Sequence, residues 1–324
     1  MRAVVCKAFG PPESLVVQDV PDPVAGAGEV VIDVVASSVT FPDFLVIQDK
    51  YQFKPALPFS PGSEVSGIVS AVGDGVTNVK VGDRVLSGVG VGGMAEKVVA
   101  KADGVVGLPD GIDLVSAPGF LYAYGTSHHA LKDRAHIQPG ESLVVLGAAG
   151  GVGLAAVELG VRAGARVIAA ASSEEKLALC RAYGATDTIN YSTDDLKNTI
   201  RDLTGGKGAD VVYDAVGGAY AEPALRSTAW DGRFLVIGFA AGEIPKIPLN
   251  LALLKGCSIV GVFYGAWSGR EPAKQRENVR ELLDWWAKGE LKPYVHEAYP
   301  LERAPEAIRA LADRKVLGKV VVQV

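Results

Sequence analysis

Two rhythms of apolar and polar positions divide this chain. Up to about residue 125, short strand-like apolar runs alternate with turn signals. The runs are Val4-Val5-Cys6, Leu15-Val16-Val17, Val30 to Ala36, Glu64 to Val72 and Val98-Val99. Gly10-Pro11-Pro12, Pro21-Asp22-Pro23, Gly73-Asp74-Gly75 and Gly82-Asp83 separate them, as turns separate strands. Residues 42 to 62, rich in Pro and aromatics, read as a loop rather than a core strand. From about Gly125 strands alternate with helices. Strands are predicted over 142–147, 166–170, 187–189, 209–214, 232–238 and 257–263, and helices over 151–164, 174–183, 193–203 and roughly 218–229. That alternation implies a parallel, doubly wound sheet. The tail predicts helices around 274–288 and 303–313 and ends in Gly318-Lys319-Val320-Val321-Val322, a strand that returns to the first domain. The expected organisation is a discontinuous strand-rich domain of residues 1–124 and 265–324, with residues 125–264 inserted as an α/β domain.

The inserted domain opens on the most informative stretch. Leu143 to Leu146 is an apolar run of the buried-strand kind, followed at once by Gly147-Ala148-Ala149-Gly150-Gly151-Val152-Gly153. Val152, Ala155, Ala156, Leu159 and Ala163 then recur at helical spacing, and Gly164 stands where a helix stops. Strand, glycine-rich turn and helix in that order aim backbone N–H groups and a positive helix end at one point, which suits a phosphate. Ala149, Gly150, Gly151 and Val152 are therefore candidate dinucleotide contacts. Ala148 stands at the first motif glycine, whereas Gly150 and Gly153 keep the two close-approach positions. The strict G-x-G-x-x-G spelling occurs instead at Gly88-Val89-Gly90-Val91-Gly92-Gly93. It precedes a strand, Met94 to Val99, with no βαβ unit, and reads as a glycine-rich loop.

The end of the second strand bears on the choice of coenzyme. An NAD site usually carries Asp or Glu there, about 20 residues past the glycines, for the ribose 2′-hydroxyl. Here Val167 to Ala171 runs into Ser172-Ser173-Glu174-Glu175-Lys176. Hydroxyls and an ammonium suit a 2′-phosphate that a carboxylate would repel. Ser172 or Ser173 can equally cap the following helix, with the glutamates favouring its N-terminus. Both roles are compatible, and the expected cofactor is NADPH.

Composition narrows the partners. At 324 residues the chain is long enough for two domains or one large one, and 48% hydrophobic with 21% charged residues describes an ordinary globular protein. A net charge of −5 gives no reason to expect nucleic acid or an anionic membrane as a main partner. No leader-like segment opens the chain and no apolar run reaches the ~18–20 residues of a membrane span, so a cytoplasmic protein is expected. Cys6, Cys180 and Cys257 are far apart, and His128, His129, His136 and His296 form no ligand spacing. Neither a disulfide framework nor a metal site is expected.

The glycine turn Ala148-Ala149-Gly150-Gly151-Val152-Gly153 resembles that of the quinone oxidoreductase (zeta-crystallin-like) branch of the zinc-independent medium-chain dehydrogenases/reductases. So do Pro61 to Val69, Val81-Gly82-Asp83-Arg84-Val85, Gly92-Gly93-Met94-Ala95-Glu96, Gly208 to Gly218 and Leu317-Gly318-Lys319-Val320. Together, in order and at family spacing, they cover essentially the whole chain. The resemblance implies a GroES-like catalytic domain plus a Rossmann domain. Zinc alcohol dehydrogenases of the same superfamily have Gly-His-Glu where this chain has Gly62-Ser63-Glu64. The resemblance places Tyr191 near the adenosine phosphate, Thr126 near the nicotinamide amide, and Gly238 and Phe239 beside the cofactor. It also sets Phe263 and Tyr264 by the nicotinamide and gives Lys319 a cofactor-facing role. Asp43 and Tyr51 match catalytic positions, Tyr51 as a proton donor or oxyanion partner. Thr40 and Val46 depart from the Asn and Tyr of similar quinone reductases.

The implied function is NADPH-dependent, metal-independent reduction of a quinone or of a C=C bond conjugated to a carbonyl. The alternatives are an enoyl-thioester (acyl-CoA) reductase and a catalytically weak, crystallin-like NADPH-binding protein. Ser258 to Phe263 is an apolar strand at the end of the sheet order. Such an edge invites pairing across a two-fold axis, and with the resemblance it predicts a homodimer.

Overall fold

A computed structural model describes all 324 residues. The chain forms two compact units, Met1–Leu121 with Glu281–Val324, and Tyr122–Arg280. In chain order the first unit begins with β1 (Arg2–Val5), β2 (Val16–Asp19), β3 (Glu29–Val39), α1 (Phe41–Val46), β4 (Glu64–Val72), β5 (Arg84–Gly88), β6 (Lys97–Lys101) and β7 (Val105–Gly107). Helix α2 (Phe120–His128) leads into the second unit and continues as a π-helical turn, His129–Arg134. Then follow β8 (Ser142–Leu146), α3 (Gly151–Arg162), β9 (Arg166–Ala171), α4 (Glu174–Ala182), β10 (Asp187–Asn190), α5 (Leu196–Leu203), β11 (Ala209–Asp214) and α6 (Ala221–Arg226). The second unit continues with β12 (Thr228–Val236), α7 (Asn250–Lys255), β13 (Ser258–Gly261), α8 (Tyr264–Arg270) and α9 (Pro272–Ala287). The chain closes with β14 (Val295–Pro300), α10 (Ala304–Ala312) and β15 (Lys319–Gln323).

In the first unit the seven-stranded sheet runs β14-β15-β3-β4-β5-β7, with β6 also paired to β3. Strand β3 is the centre because its eleven residues are long enough to pair with β15, β4 and β6, and all but Glu29, Asp33 and Val35 are buried. Val30, Ile32 and Val34 pack with Val65, Val69 and Val85 in one core. The terminal strand β15 lies antiparallel to β3, Val320 opposite Val39 and Val322 opposite Ser37. The chain end thus returns to the domain in which it began. Val320 and Val322 join Ile47, Phe59, Met94 and Ile308 in a second core.

The second unit is a six-stranded sheet, all parallel, in the order β10-β9-β8-β11-β12-β13. Its strands are continuous apolar runs because helices cover both faces. Leu143, Val144, Val145 and Leu146 of β8 and Val211, Val212 and Tyr213 of β11 are buried completely. The chain winds outward from β8 to β10, then restarts at β11 beside β8. The crevice beyond the carboxyl ends of β8 and β11 is the switch point where such sheets bind ligands. This is the GroES-like plus Rossmann architecture implied by the sequence.

Three local differences have physical reasons. Helix α1 forms inside the stretch read as a loop, because Asp43 at its third position satisfies the Thr40 N–H. Strands β5, β7 and β14 are too short or too polar to announce themselves by periodicity. The second crossing between units lies at Arg280/Glu281, not near residue 265. Helix α8 and the start of α9 are fastened to the π-helical turn instead. The Trp267 ring stacks on buried His129 with centroids 3.9 Å apart, and Asn278 bonds both Asp133 (2.9 Å) and Lys132 (3.1 Å).

Candidate functional site

The glycine turn sits at the switch point. Gly147 leaves β8 with φ of 70°, which glycine adopts without strain. Gly150 caps α3 in extended geometry, and the first intrahelical bond runs from the Leu154 N–H to the Gly150 carbonyl. The N–H groups of Gly151, Val152 and Gly153 precede that bond, so the helix supplies them with no acceptor. A Cβ at Gly153 would lie 2.1 Å from the Gly147 carbonyl oxygen. Glycine there lets α3 close onto the turn. Ala148 is fully buried and donates its N–H to the Ala170 carbonyl, so the sharp turn belongs to Gly147, one residue earlier than the motif spelling suggests. The cradle fits the pyrophosphate of a dinucleotide.

A polar corner lies at the ends of β9 and β10. Lys176 Nζ donates to Ser172 Oγ at 3.2 Å, and Ser173 Oγ accepts from the Lys176 N–H at 3.4 Å, capping α4. The helix-capping reading of the serines thus holds for Ser173. Glu174 turns back along the helix to an ion pair with Arg181, which takes its carboxylate away from the corner. Tyr191 joins through its N–H to the Ala171 carbonyl, and its ring rests on Tyr220 with centroids 4.5 Å apart. Ser172, Ser173, Lys176 and Tyr191 thus come from the ends of β9 and β10 and the start of α4, and bring one ammonium and three hydroxyls. The corner fits a 2′-phosphate.

On the other side of the switch point, buried Asp214 ends β11 and accepts the N–H groups of Val216 and Gly217, each at 2.8 Å. Burial pushes its carboxyl above the usual carboxylate range despite these donors. The loop it shapes holds the segment after β12. Ile237 and Gly238 donate to the Asp214 carbonyl, and the Phe239 ring would meet a Cβ on Gly217 at 2.8 Å. Gly238 and Phe239 therefore stand just past the carboxyl end of β12. Thr126 is half-buried on α2. Phe263 is 64% exposed. Its neighbour is a correction: Tyr264 is buried, with its hydroxyl against Gly125, where a Cβ would come within 2.5 Å. Tyr264 packs α8 against α2 and leaves only 7% of its surface exposed.

Two further corrections fall in the first unit. Lys319 was expected to face the cofactor, but it is 7% exposed and donates to the carbonyls of Ser116 (3.0 Å) and Pro118 (2.9 Å). Burial pushes its ammonium down to about 8, with the buried Glu64 carboxylate pulling the other way. Glu64 in turn accepts the Leu121 N–H at 2.8 Å. The pair fastens the 116–121 segment to β4 and β15. Asp43, expected to be catalytic, has both oxygens engaged. Oδ2 accepts from Thr40 N–H (2.7 Å) and hydroxyl, and Oδ1 from Gly62 N–H (3.0 Å). Burial raises its carboxyl. It ties α1 to the turn before β4. Tyr51 is half-buried, and burial first, then the charge of Asp43, pushes its phenol up.

Sequence reasoning passed over Gly147, Gly125 and Asp214. Asp214 had a signal, since an Asp followed by small residues and glycine marks an Asx turn. Gly125 had none, because only the fold brings Tyr264 to it.

Comparison with known proteins agrees with this geometry. Residues 26–110 match the alcohol dehydrogenase GroES-like domain, and residues 151–288 match the zinc-binding dehydrogenase family. No group of three or more His, Cys, Asp or Glu side chains here is arranged to hold a metal. Among curated relatives, a quinone oxidoreductase-like protein 2 homolog of Nematostella vectensis is 41% identical over 99% of this chain and 88% of its own length. The quinone oxidoreductase of Pseudomonas aeruginosa is 33% identical over 97% of each chain. Among solved structures, a mycobacterial protein complexed with NADPH superimposes with a TM-score of 0.94 at 32% identity over 100% of both chains. Escherichia coli quinone oxidoreductase complexed with NADPH gives 0.92 at 28% identity, again over 100% of both chains. With the two domain matches, the full-length relatives and the site geometry in agreement, this chain belongs to the quinone oxidoreductase family of the medium-chain dehydrogenases/reductases.

Proposed function

We propose that this protein is an NADPH-dependent, metal-independent reductase of quinones or of C=C bonds conjugated to a carbonyl. The observation that carries the cofactor half is the corner of Ser172, Ser173, Lys176 and Tyr191, with Glu174 paired away to Arg181. The NADPH complexes of two structural relatives support it. When bound, NADPH supplies a hydride. The residues of this chain do the rest. The turn from Gly147 to Gly153 seats the pyrophosphate, and Ser172 and Lys176 meet the 2′-phosphate.

Tyr51 is assigned the proton. Its raised pKa keeps the phenol protonated at neutral pH, so it can donate to an enolate or quinol oxygen as charge develops there. Asp43 holds α1 and so the approach to Tyr51. Metal independence rests on Ser63 in place of a ligating histidine and on cysteines that are all unpaired, two of them buried. Those free thiols suit a reducing compartment such as the cytoplasm.

The test is NADPH oxidation measured over quinones, enones, alkenals and enoyl-CoA thioesters, with metal analysis of the same preparation. Turnover confined to enoyl-CoA would make this an enoyl-thioester reductase. Coenzyme binding without turnover would make it a crystallin-like binding protein. Stoichiometric zinc whose removal abolishes activity would overturn metal independence. Tyr51→Phe is expected to lower kcat on enones ~10²–10⁴-fold, the usual worth of a general acid, with less effect on quinones. Unchanged rates on every substrate would leave Tyr51 a packing residue.

A further inference from the structure

Helix α2 grips α3 through two polar side chains on one face, three residues apart. Tyr124 donates its hydroxyl to Glu158 Oε2 at 2.6 Å. Ser127 donates its hydroxyl to the Val152 carbonyl at 2.8 Å. Ser127 Oγ also lies 2.9 Å from the hydroxyl of Tyr213, the last residue but one of β11. Both hydroxyl-bearing residues are completely buried. A serine hydroxyl has one proton, and Ser127 gives it to Val152. The remaining bond therefore has one polarity, with Tyr213 donating to Ser127. The result is an ordered chain, Tyr213 O–H to Ser127 Oγ and Ser127 O–H to the Val152 carbonyl, running from the sheet to the first turn of α3.

The Val152 carbonyl and the Gly153 N–H belong to one peptide unit. A hydrogen bond accepted at the carbonyl polarises that unit and leaves its N–H more positive, and successive bonds in a chain strengthen one another. Gly153 N–H is one of the three donors ahead of the first intrahelical bond, on the turn that its missing Cβ allows to close on Gly147. The relay holds this peptide in place and tunes its donor. A packing role alone would not explain two buried hydroxyls in sequence, because Ala and Phe would fill the same volume without polar atoms to satisfy.

We propose that Ser127 and Tyr213 are positioning residues for coenzyme binding, acting on the pyrophosphate cradle through the Val152–Gly153 peptide. The inference rests on the dinucleotide reading above. It predicts a signature different from that of Lys176: the pyrophosphate is common to both coenzymes, so NADPH and NADH must weaken together.

The experiment is fluorescence titration of NADPH and NADH with wild type, Ser127→Ala, Tyr213→Phe, the double variant and Ser127→Thr, with Tm recorded for each. Ser127→Ala is expected to weaken both coenzymes about 3- to 10-fold, the scale of one neutral hydrogen bond, leaving their ratio unchanged. The KM for NADPH should rise more than kcat falls. Tyr213→Phe should weaken both by less. The double variant should match Ser127→Ala, because Tyr213 acts through Ser127. Ser127→Thr, which keeps the hydroxyl, should restore affinity. Variants that bind both coenzymes like wild type, even with lowered Tm, would overturn the inference while leaving the dinucleotide reading intact. So would selective loss of NADPH. A wild type that binds neither coenzyme would overturn the reading itself and the inference with it.

Discussion

Two lysines at the residue scale show how placement decides chemistry. Lys176 is half-exposed beside Ser172 at the end of β9. A charge-assisted hydrogen bond to a 2′-phosphate contributes roughly 1.5–3 kcal/mol net. Lys176→Ala should therefore weaken NADPH about 10- to 100-fold by coenzyme titration and barely touch NADH; equal weakening of both would give it only a local structural part. Lys319 has the same charge and no outlet to water. Its folded pKa is about 8 against an ordinary 10.5. Below pH 8 it is charged in both folded and unfolded chains, and the full burial cost is present. Between about 8 and 10.5 the folded chain binds fewer protons than the unfolded one, so this group makes stability rise with pH. Denaturant midpoints measured across that window should show the rise in wild type and lose it in Lys319→Gln.

Helix α3 opens on the glycine turn, and its position is fixed by what two of its residues lack. Gly153 admits the Gly147 carbonyl, and Gly160 admits Leu143, whose Cδ2 would meet a Cβ at 2.5 Å. In the first case the obstacle is backbone, which cannot rotate aside. Gly153→Ala should displace the start of α3, destabilise the protein by about 1–3 kcal/mol as overpacking does, and weaken NADPH and NADH alike. Gly160→Ala meets only a flexible side chain and should cost less stability while sparing coenzyme affinity. Thermal melts and titrations of the two variants make the comparison. Helix α1 depends on a group it has rather than one it lacks. With Asp43 removed, the N–H groups of Thr40 and Gly62 lose their acceptor, so Asp43→Ala should lower stability as well as activity, unlike Tyr51→Phe.

The whole molecule carries an imbalance between the two edges of the parallel sheet. Edge strand β10 is guarded by charge, with Arg166 on Asp187 and Arg181 on Thr188. Edge strand β13 carries a charge only at its end, where Arg134 donates to the Gly261 carbonyl at 3.1 Å. Ile259 is exposed on it, Trp230 lies 72% exposed over Gly256, and Leu253 of α7 is 79% exposed nearby. Sheet edges and exposed apolar side chains invite a partner. The expected outcome is a homodimer in which β13 pairs with its copy, burying roughly 1,200–2,000 Å² in total as stable interfaces do. Light scattering at micromolar concentration should return twice the chain mass, and Ile259→Lys should return the monomer. A monomeric wild type would refute the pairing.

The sequence alone determined whatever depends on neighbours in the chain. The strand, turn and helix from Ser142 to Arg162 were legible because apolar period and glycine spacing are local properties, and the alternation after Gly125 predicted a parallel sheet for the same reason. The neutral end of β9 pointed to Ser172 and Lys176 before any coordinates. Tertiary structure decided what depends on residues distant in sequence. Lys319 and Tyr264 matched site positions by motif, yet Ser116 and Pro118 bury one and Gly125 buries the other. Glu174 stood beside the corner as a threat to phosphate until Arg181 took its charge. The partnership of Ser127, Tyr213 and Val152 joins three residues with no common local pattern. Periodicity tells which face of an element is apolar. What a buried polar atom bonds to is set by the packing of elements against one another, and at this site those bonds separate positioning residues from ligand-binding ones.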